Sequence, residues 1–162
     1  MSEHDDAAHA RKKLQTLLSA AGFTHQRLAA GGRTMSFSGQ YRDWLLVASA
    51  NPGWFHVHTV ICSLPAEPGL RGELLLWLAR ANSDLSLLKY SVTKWDKVVL
   101  EAEIRMEKLD AEDVGNLVWF VHATAEEHYL DVFRIARGEA RLQALSTAFA
   151  RDAVTGEGSV SA

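Results

Sequence analysis

The sequence contains a single cysteine, Cys62. No intramolecular disulfide can form, so a disulfide-stapled secreted scaffold is excluded. No apolar run approaches the roughly 18 residues that a membrane span requires. The N-terminus, Met1-Ser2-Glu3-His4-Asp5-Asp6, is acidic where a signal peptide would be basic, so the expectation is a cytoplasmic protein of bacterial type. An excess of charge is missing too: 17 basic against 20 acidic side chains leave a net charge of −3, and nothing global points to nucleic acid. His-Glu-x-x-His, Gly-x-Ser-x-Gly and both phosphate-loop spacings are absent, and Gly31-Gly32-Arg33 reads only as a turn. What remains is the balance of an ordinary globular protein, 48% hydrophobic and 23% charged, over 162 residues, the length of one domain.

Hydrophobic periodicity orders the chain. Leu14, Leu17, Leu18 and Ala21 fall at helical spacing and Gly22 is a left-handed stop, which predicts a helix over residues 5–21. The period then changes to two. A weak strand over 24–29, a better one over 34–38 and a third carrying Trp44, Leu46, Ala48 and Ala50 on one face are separated by turns at Gly31-Gly32 and 39–42. Asn51-Pro52-Gly53 turns the chain into a long strand over 54–64. Residues 69–81 read as a helix with two apolar stripes. Leu74, Trp77 and Leu78 belong to one, and Leu75, Leu76 and Ala79 to the other, with Asn82 expected to cap its C-terminus. A surface helix of a monomer has no use for the second stripe. Strands follow over 88–94 and 98–106, the latter alternating apolar side chains with Glu101, Glu103 and Arg105. Asp110 caps a last helix whose core stripe runs from Val114 to Ala136, with Gly138 as its stop and Trp119 and Phe120 lying off the stripe. Residues 139–162 read as an extension, a short helix and then a disordered tail.

Candidate chemistry is sparse. His56 and His58 are i, i+2 on one strand and point the same way, with Cys62 expected on that face about 13 to 20 Å further along. One zinc ion cannot bridge that span. His122 and Glu126 are i, i+4 on the last helix and read as an exposed salt-bridging turn, while His122 and His128 lie on nearly opposite faces. Cys62 in an apolar strand reads as an inert core residue. The basic triplet Arg11-Lys12-Lys13 spreads round its helix and reads as a solvated face. The rival readings are a small metal-dependent or hydrolytic enzyme using His56, His58 or His122, and a nucleic-acid-binding regulator.

With the weak strand over 24–29 left out of the count, the order α-β-β-β-α-β-β-α predicts an α+β fold in which one antiparallel sheet buries a face under helices. This order resembles the type III secretion chaperone fold, shared by the YbjN family of bacterial sensory-transduction regulators. The run Leu74-Leu75-Leu76-Trp77-Leu78-Ala79-Arg80-Ala81-Asn82, the hairpin 88–106 and the helix start Leu109-Asp110-Ala111-Glu112-Asp113-Val114 lean toward YbjN. The resemblance covers about residues 5–137, with a domain over 1–138. It implies a non-enzymatic protein that needs no cofactor and holds a segment of a client protein as a homodimer. The resemblance also implies dimerisation through the middle helix, which accounts for Leu75, Leu76 and Ala79. Neither a membrane nor a nucleic acid is expected as partner. Aromatic anchors dominate such binding, and Trp54, Phe55, Trp119 and Phe120 are the candidate client-binding residues.

Overall fold

A computed structural model describes residues 3–140. Helix α1 (Glu3–Ala20) leads into four strands, β1 (Gln26–Arg27), β2 (Arg33–Ser38), β3 (Asp43–Asn51) and β4 (Trp54–Ser63). Helix α2 (Pro68–Asp84), strands β5 (Leu88–Val92) and β6 (Lys97–Arg105), and helix α3 (Ala111–Ala136) complete the chain. The six strands form one fully antiparallel sheet in the order β1-β2-β3-β4-β6-β5. The expected α+β architecture is thus observed. The weak strand of the sequence reading survives as β1, two residues at the sheet edge. The C-terminal extension lies outside the described residues beyond Ala140.

The core forms on one face of the sheet. Trp44, Leu46, Phe55, Val57, Val98 and Leu100 are fully buried there. They meet Leu14 and Leu18 of α1, Leu74 of α2, and Val114, Val118 and Val121 of α3 in one cluster. Helix α1 lies over β3, α3 over β4 and β6, and α2 against α3 and β5. Leu45, Trp54, Val60, Glu103 and Arg105 alternate with the core residues and project from the opposite, uncovered face.

Local chemistry sets the element ends. Gly53 takes φ 84° in the β3–β4 turn, a backbone region costly for residues with a Cβ. Asp110 accepts from the Asp113 backbone N–H at 2.9 Å, and the Asp113 carboxylate accepts from Asp110 N–H at 3.2 Å, a reciprocal capping box. Glu67 caps α2 by accepting from the N–H groups of Gly69 and Leu70. The expected cap at Asn82 is corrected: α2 continues to Asp84, because the Asn82 amide turns inward and pairs with both backbone groups of Tyr90. That clamp ties edge strand β5 to α2.

Candidate protein-binding surfaces

The uncovered sheet face carries a row of polar side chains across its middle. His58, Glu101 and Lys89 are register neighbours on β4, β6 and β5. His56 Nε2 lies 2.9 Å from Glu101 Oε2, and Lys89 Nζ 3.8 Å from Oε1. The His56 and His58 rings stack with centroids 4.9 Å apart. Burial pushes His58 below its ordinary pKa and the neighbouring His56 adds to this, against an opposing pull from Glu101. Burial would raise Glu101, but hydrogen bonds from Ser91 and His56, with the charges of His56 and Lys89, outweigh it and hold the carboxyl low. At the end of the same face Trp54, 38% exposed, stacks under the Arg105 guanidinium at 5.0 Å.

Two expectations about β4 are corrected. Phe55 is fully buried in the core. Alternation with Trp54 sends it to the helix side, so it offers no surface to a client. Cys62 does not share a face with the histidines. A β-bulge between Val60 and Cys62 slips the register by one and sets Cys62 opposite Val98, on the core side. Burial pushes its thiol up to about 11, where little thiolate exists at neutral pH.

Helix α2 presents a second surface. Its inner stripe, Leu74, Trp77 and Leu78, is buried. Its outer stripe, Gly72, Leu75, Leu76 and Ala79, is exposed, with Leu75 at 41% and Leu76 at 48%. No atom lies within 4 Å of where a Cβ on Gly72 would sit, other than its own neighbours along the helix. An Arg71–Asp96 ion pair at 2.7 Å ties the β5–β6 hairpin tip, with Trp95 71% exposed, to the first turn of α2.

The third surface is on α3. Trp119 and Phe120 are 54% and 57% exposed. Trp119 packs edge-on against Phe37 at 5.2 Å and against His122 at 5.7 Å, and His122 stacks on Phe37 at 4.9 Å. Burial lowers the His122 pKa, with Glu126 opposing. The expected exposed salt-bridging turn is therefore corrected. His122 is inserted in an aromatic cluster, and Glu126 reaches across to the sheet, where it accepts from Trp44 Nε1 and from the Gln40 backbone N–H. A Cβ on Gly39 would collide with that carboxylate and lie 2.6 Å from the Arg42 carbonyl oxygen, so only glycine fits the β2–β3 turn beneath it. The sequence carried one signal for this contact: a core tryptophan needs an acceptor for its indole N–H.

The arrangement separates the groups that the rival readings need. His56 and His58 lie on the open sheet face and His122 on the helix side. Among the described residues no group of three or more His, Cys, Asp or Glu converges. In the basic triplet, Arg11 lies against Gly31 while Lys13 Nζ donates to the Met106 carbonyl at 2.6 Å, so the cations diverge. No described helix is long and apolar enough to cross a membrane. Trp54 and Trp119 sit on opposite sides of the sheet and cannot act as one patch.

A family model for YbjN, described as "Putative bacterial sensory transduction regulator", matches residues 10–134. No curated protein matches the chain. Among solved structures, the fold is similar to the Yersinia pestis type III secretion chaperone SycH, crystallised in complex with a stable fragment of YscM2. The TM-score is 0.51 at 13% identity, over 71% of this chain and 95% of that one. It is also similar to a chain of the heterodimeric ExoU–SpcU complex from the type III secretion system of Pseudomonas aeruginosa. There the TM-score is 0.51 at 18% identity, over 75% of this chain and 95% of that one.

Proposed function

The chain belongs to the YbjN family, and from that premise we propose that it is a non-enzymatic, cytoplasmic protein-binding module, chaperone-like or regulatory, that holds a segment of a client protein as a homodimer. The observation that carries this reading is how side chains are employed. Several groups able to do acid–base chemistry are tied into the fold, His56 to Glu101, Glu126 to Trp44 and His128 to Tyr90, and the described residues bring no others together in a cluster of three. Large apolar side chains stand in water instead: Trp54, Leu75, Leu76, Trp95, Trp119 and Phe120. Leu75 with Leu76 on α2 and Trp119 with Phe120 on α3 are neighbouring exposed pairs, and clustered exposed apolar surface marks protein contact. The two similar folds were each solved with a protein partner, which supports the same use here.

The two roles divide between surfaces. The exposed apolar stripe Leu75, Leu76 and Ala79 is assigned to a second copy, since a two-fold axis would set it against the same stripe of the partner. Trp54 at the sheet end and Trp119 with Phe120 on α3 remain for a client. Affinity capture from the native host tests the reading, using wild type, Trp54→Ala and the Trp119→Ala/Phe120→Ala pair side by side. A client retained by wild type and lost from one folded variant is the expected result. Capture profiles identical across all three would reject these residues as the client site.

A further inference from the structure

We propose that the outer crest of α3 is a docking surface for a basic–apolar–basic protein segment, with cations about 10 Å to either side of an apolar anchor. This rests on the client-holding reading and names the chemistry of the client.

The apolar centre is Trp119 and Phe120, both more than half exposed. Trp119 is held in one orientation by Phe37, His122 and Phe23, at ring-centroid distances of 5.2, 5.7 and 6.3 Å. An anchor fixed in this way loses little freedom on binding. Charge supplies the specificity. From Ala111 to Phe133 the helix carries five carboxylates and neither lysine nor arginine. Asp113 is spent in the capping box and Glu126 on Trp44 and Gln40. Glu112, Glu127 and Asp131 are left, and among the described residues none of the three takes part in an ion pair.

Helical spacing aligns these groups. Glu112 lies seven residues before Trp119 and Glu127 seven after Phe120. Seven residues bring a helix back to the same face, about 10 Å along its axis. Asp131, eleven after Phe120, falls on the same line. Glu112 thus lines up with Trp119, and Glu127 and Asp131 line up with Phe120 about a quarter-turn round the helix, so the crest reads carboxylate, aromatic pair, carboxylates, and ends on the exposed Arg134 seven residues after Glu127. Its complement is a segment with Lys or Arg about three positions from the anchor if extended, or about seven if helical. Opposite charges in this order fix register and favour encounter. The same carboxylates repel nucleic acid and anionic membrane.

The test pans a phage-displayed library of random 16-residue peptides against the immobilised full-length chain. Enriched peptides are then titrated calorimetrically into wild type, Trp119→Ala/Phe120→Ala, Glu127→Gln/Asp131→Gln and Leu45→Ala, each checked by thermal melt. We expect enriched sequences with basic residues on both sides of an apolar anchor. Affinity should fall about tenfold or more in the aromatic pair variant. It should fall by a smaller factor in the carboxylate variant, weaken with added salt, and stay unchanged in Leu45→Ala, which alters an exposed side chain on the uncovered sheet face. Peptides that bind without flanking cations, or that bind the aromatic pair variant as well as wild type, overturn this proposal and leave the client-holding reading standing. If no peptide is enriched, this proposal fails, while the client-holding reading stands or falls on capture from the native host.

Discussion

Replacing Leu75 and Leu76 together by glutamate should separate the protomers. In the single chain these residues keep 41% and 48% of their surface in water, close to one whole leucine between them. Burying a leucine fully is worth about 1.5 to 3 kcal/mol. In a two-fold interface each chain contributes the same patch, so the pair supplies roughly 2.5 to 5 kcal/mol to the dimer. Loss of that amount raises the dissociation constant by about 10² to 10⁴. Buried carboxylates facing their symmetry mates would add repulsion, so the lower figure is a floor. The monomer fold should be little affected, because the inner stripe Leu74, Trp77 and Leu78 is untouched. Sedimentation equilibrium on wild type and variant from 1 to 200 µM reads the difference. Wild type is expected near twice the chain mass of 17.9 kDa and the variant near the single mass. Wild type remaining at 17.9 kDa up to the highest concentration would refute the interface, as would a variant that dimerises as tightly as wild type.

Three further outcomes follow from the packing. Glu126→Ala should lower stability by about 2 to 3 kcal/mol, since it leaves the fully buried Trp44 indole N–H without an acceptor. Glu126→Gln, which keeps an amide oxygen there, should lose less, and equal denaturant midpoints for all three proteins would count against the contact. Phe55→Ala should cost about 3 to 5 kcal/mol as a core cavity and Trp54→Ala under about 1, a contrast that chemical denaturation can read and that similar costs would contradict. Acid should destabilise the fold in two steps. His58, His122 and His128 sit below their ordinary 6.5, so the unfolded chain binds more protons and stability falls as pH drops below about 6.5. Glu101 sits below its ordinary 4.5, so its contribution is present above that value and is lost as pH falls through the lowered one. A melting temperature flat from pH 7.5 to 5 would be inconsistent with the three histidines being held neutral by burial.

The elements and their faces were legible because they depend on local period alone. The alternation in β6, the doubled stripe of α2 and the Asp110 cap at α3 each repeat a pattern that burial on one side imposes. Exposure of Trp119 and Phe120 could be read for the same reason, since both fall out of phase with the core stripe of α3, whereas Trp54 and Phe55 were offered together and only the packing of the sheet chose Trp54. What pairs with what could not be read this way. The bulge between Val60 and Cys62 is one unpaired residue whose position is set by how β4 meets β6, and it moved Cys62 from the face of the histidines to the core. Asn82 looked like a helix cap because its partner on Tyr90 is created only when β5 packs beside α2. Glu126 and Trp44 are 82 residues apart, and no local spacing joins them. The sequence by itself therefore determined the elements, the buried faces and the surplus apolar side chains. The tertiary structure alone decided which polar groups are consumed in holding elements together and which stay free for a partner, because hydrogen bonds are claimed by neighbours in space rather than along the chain.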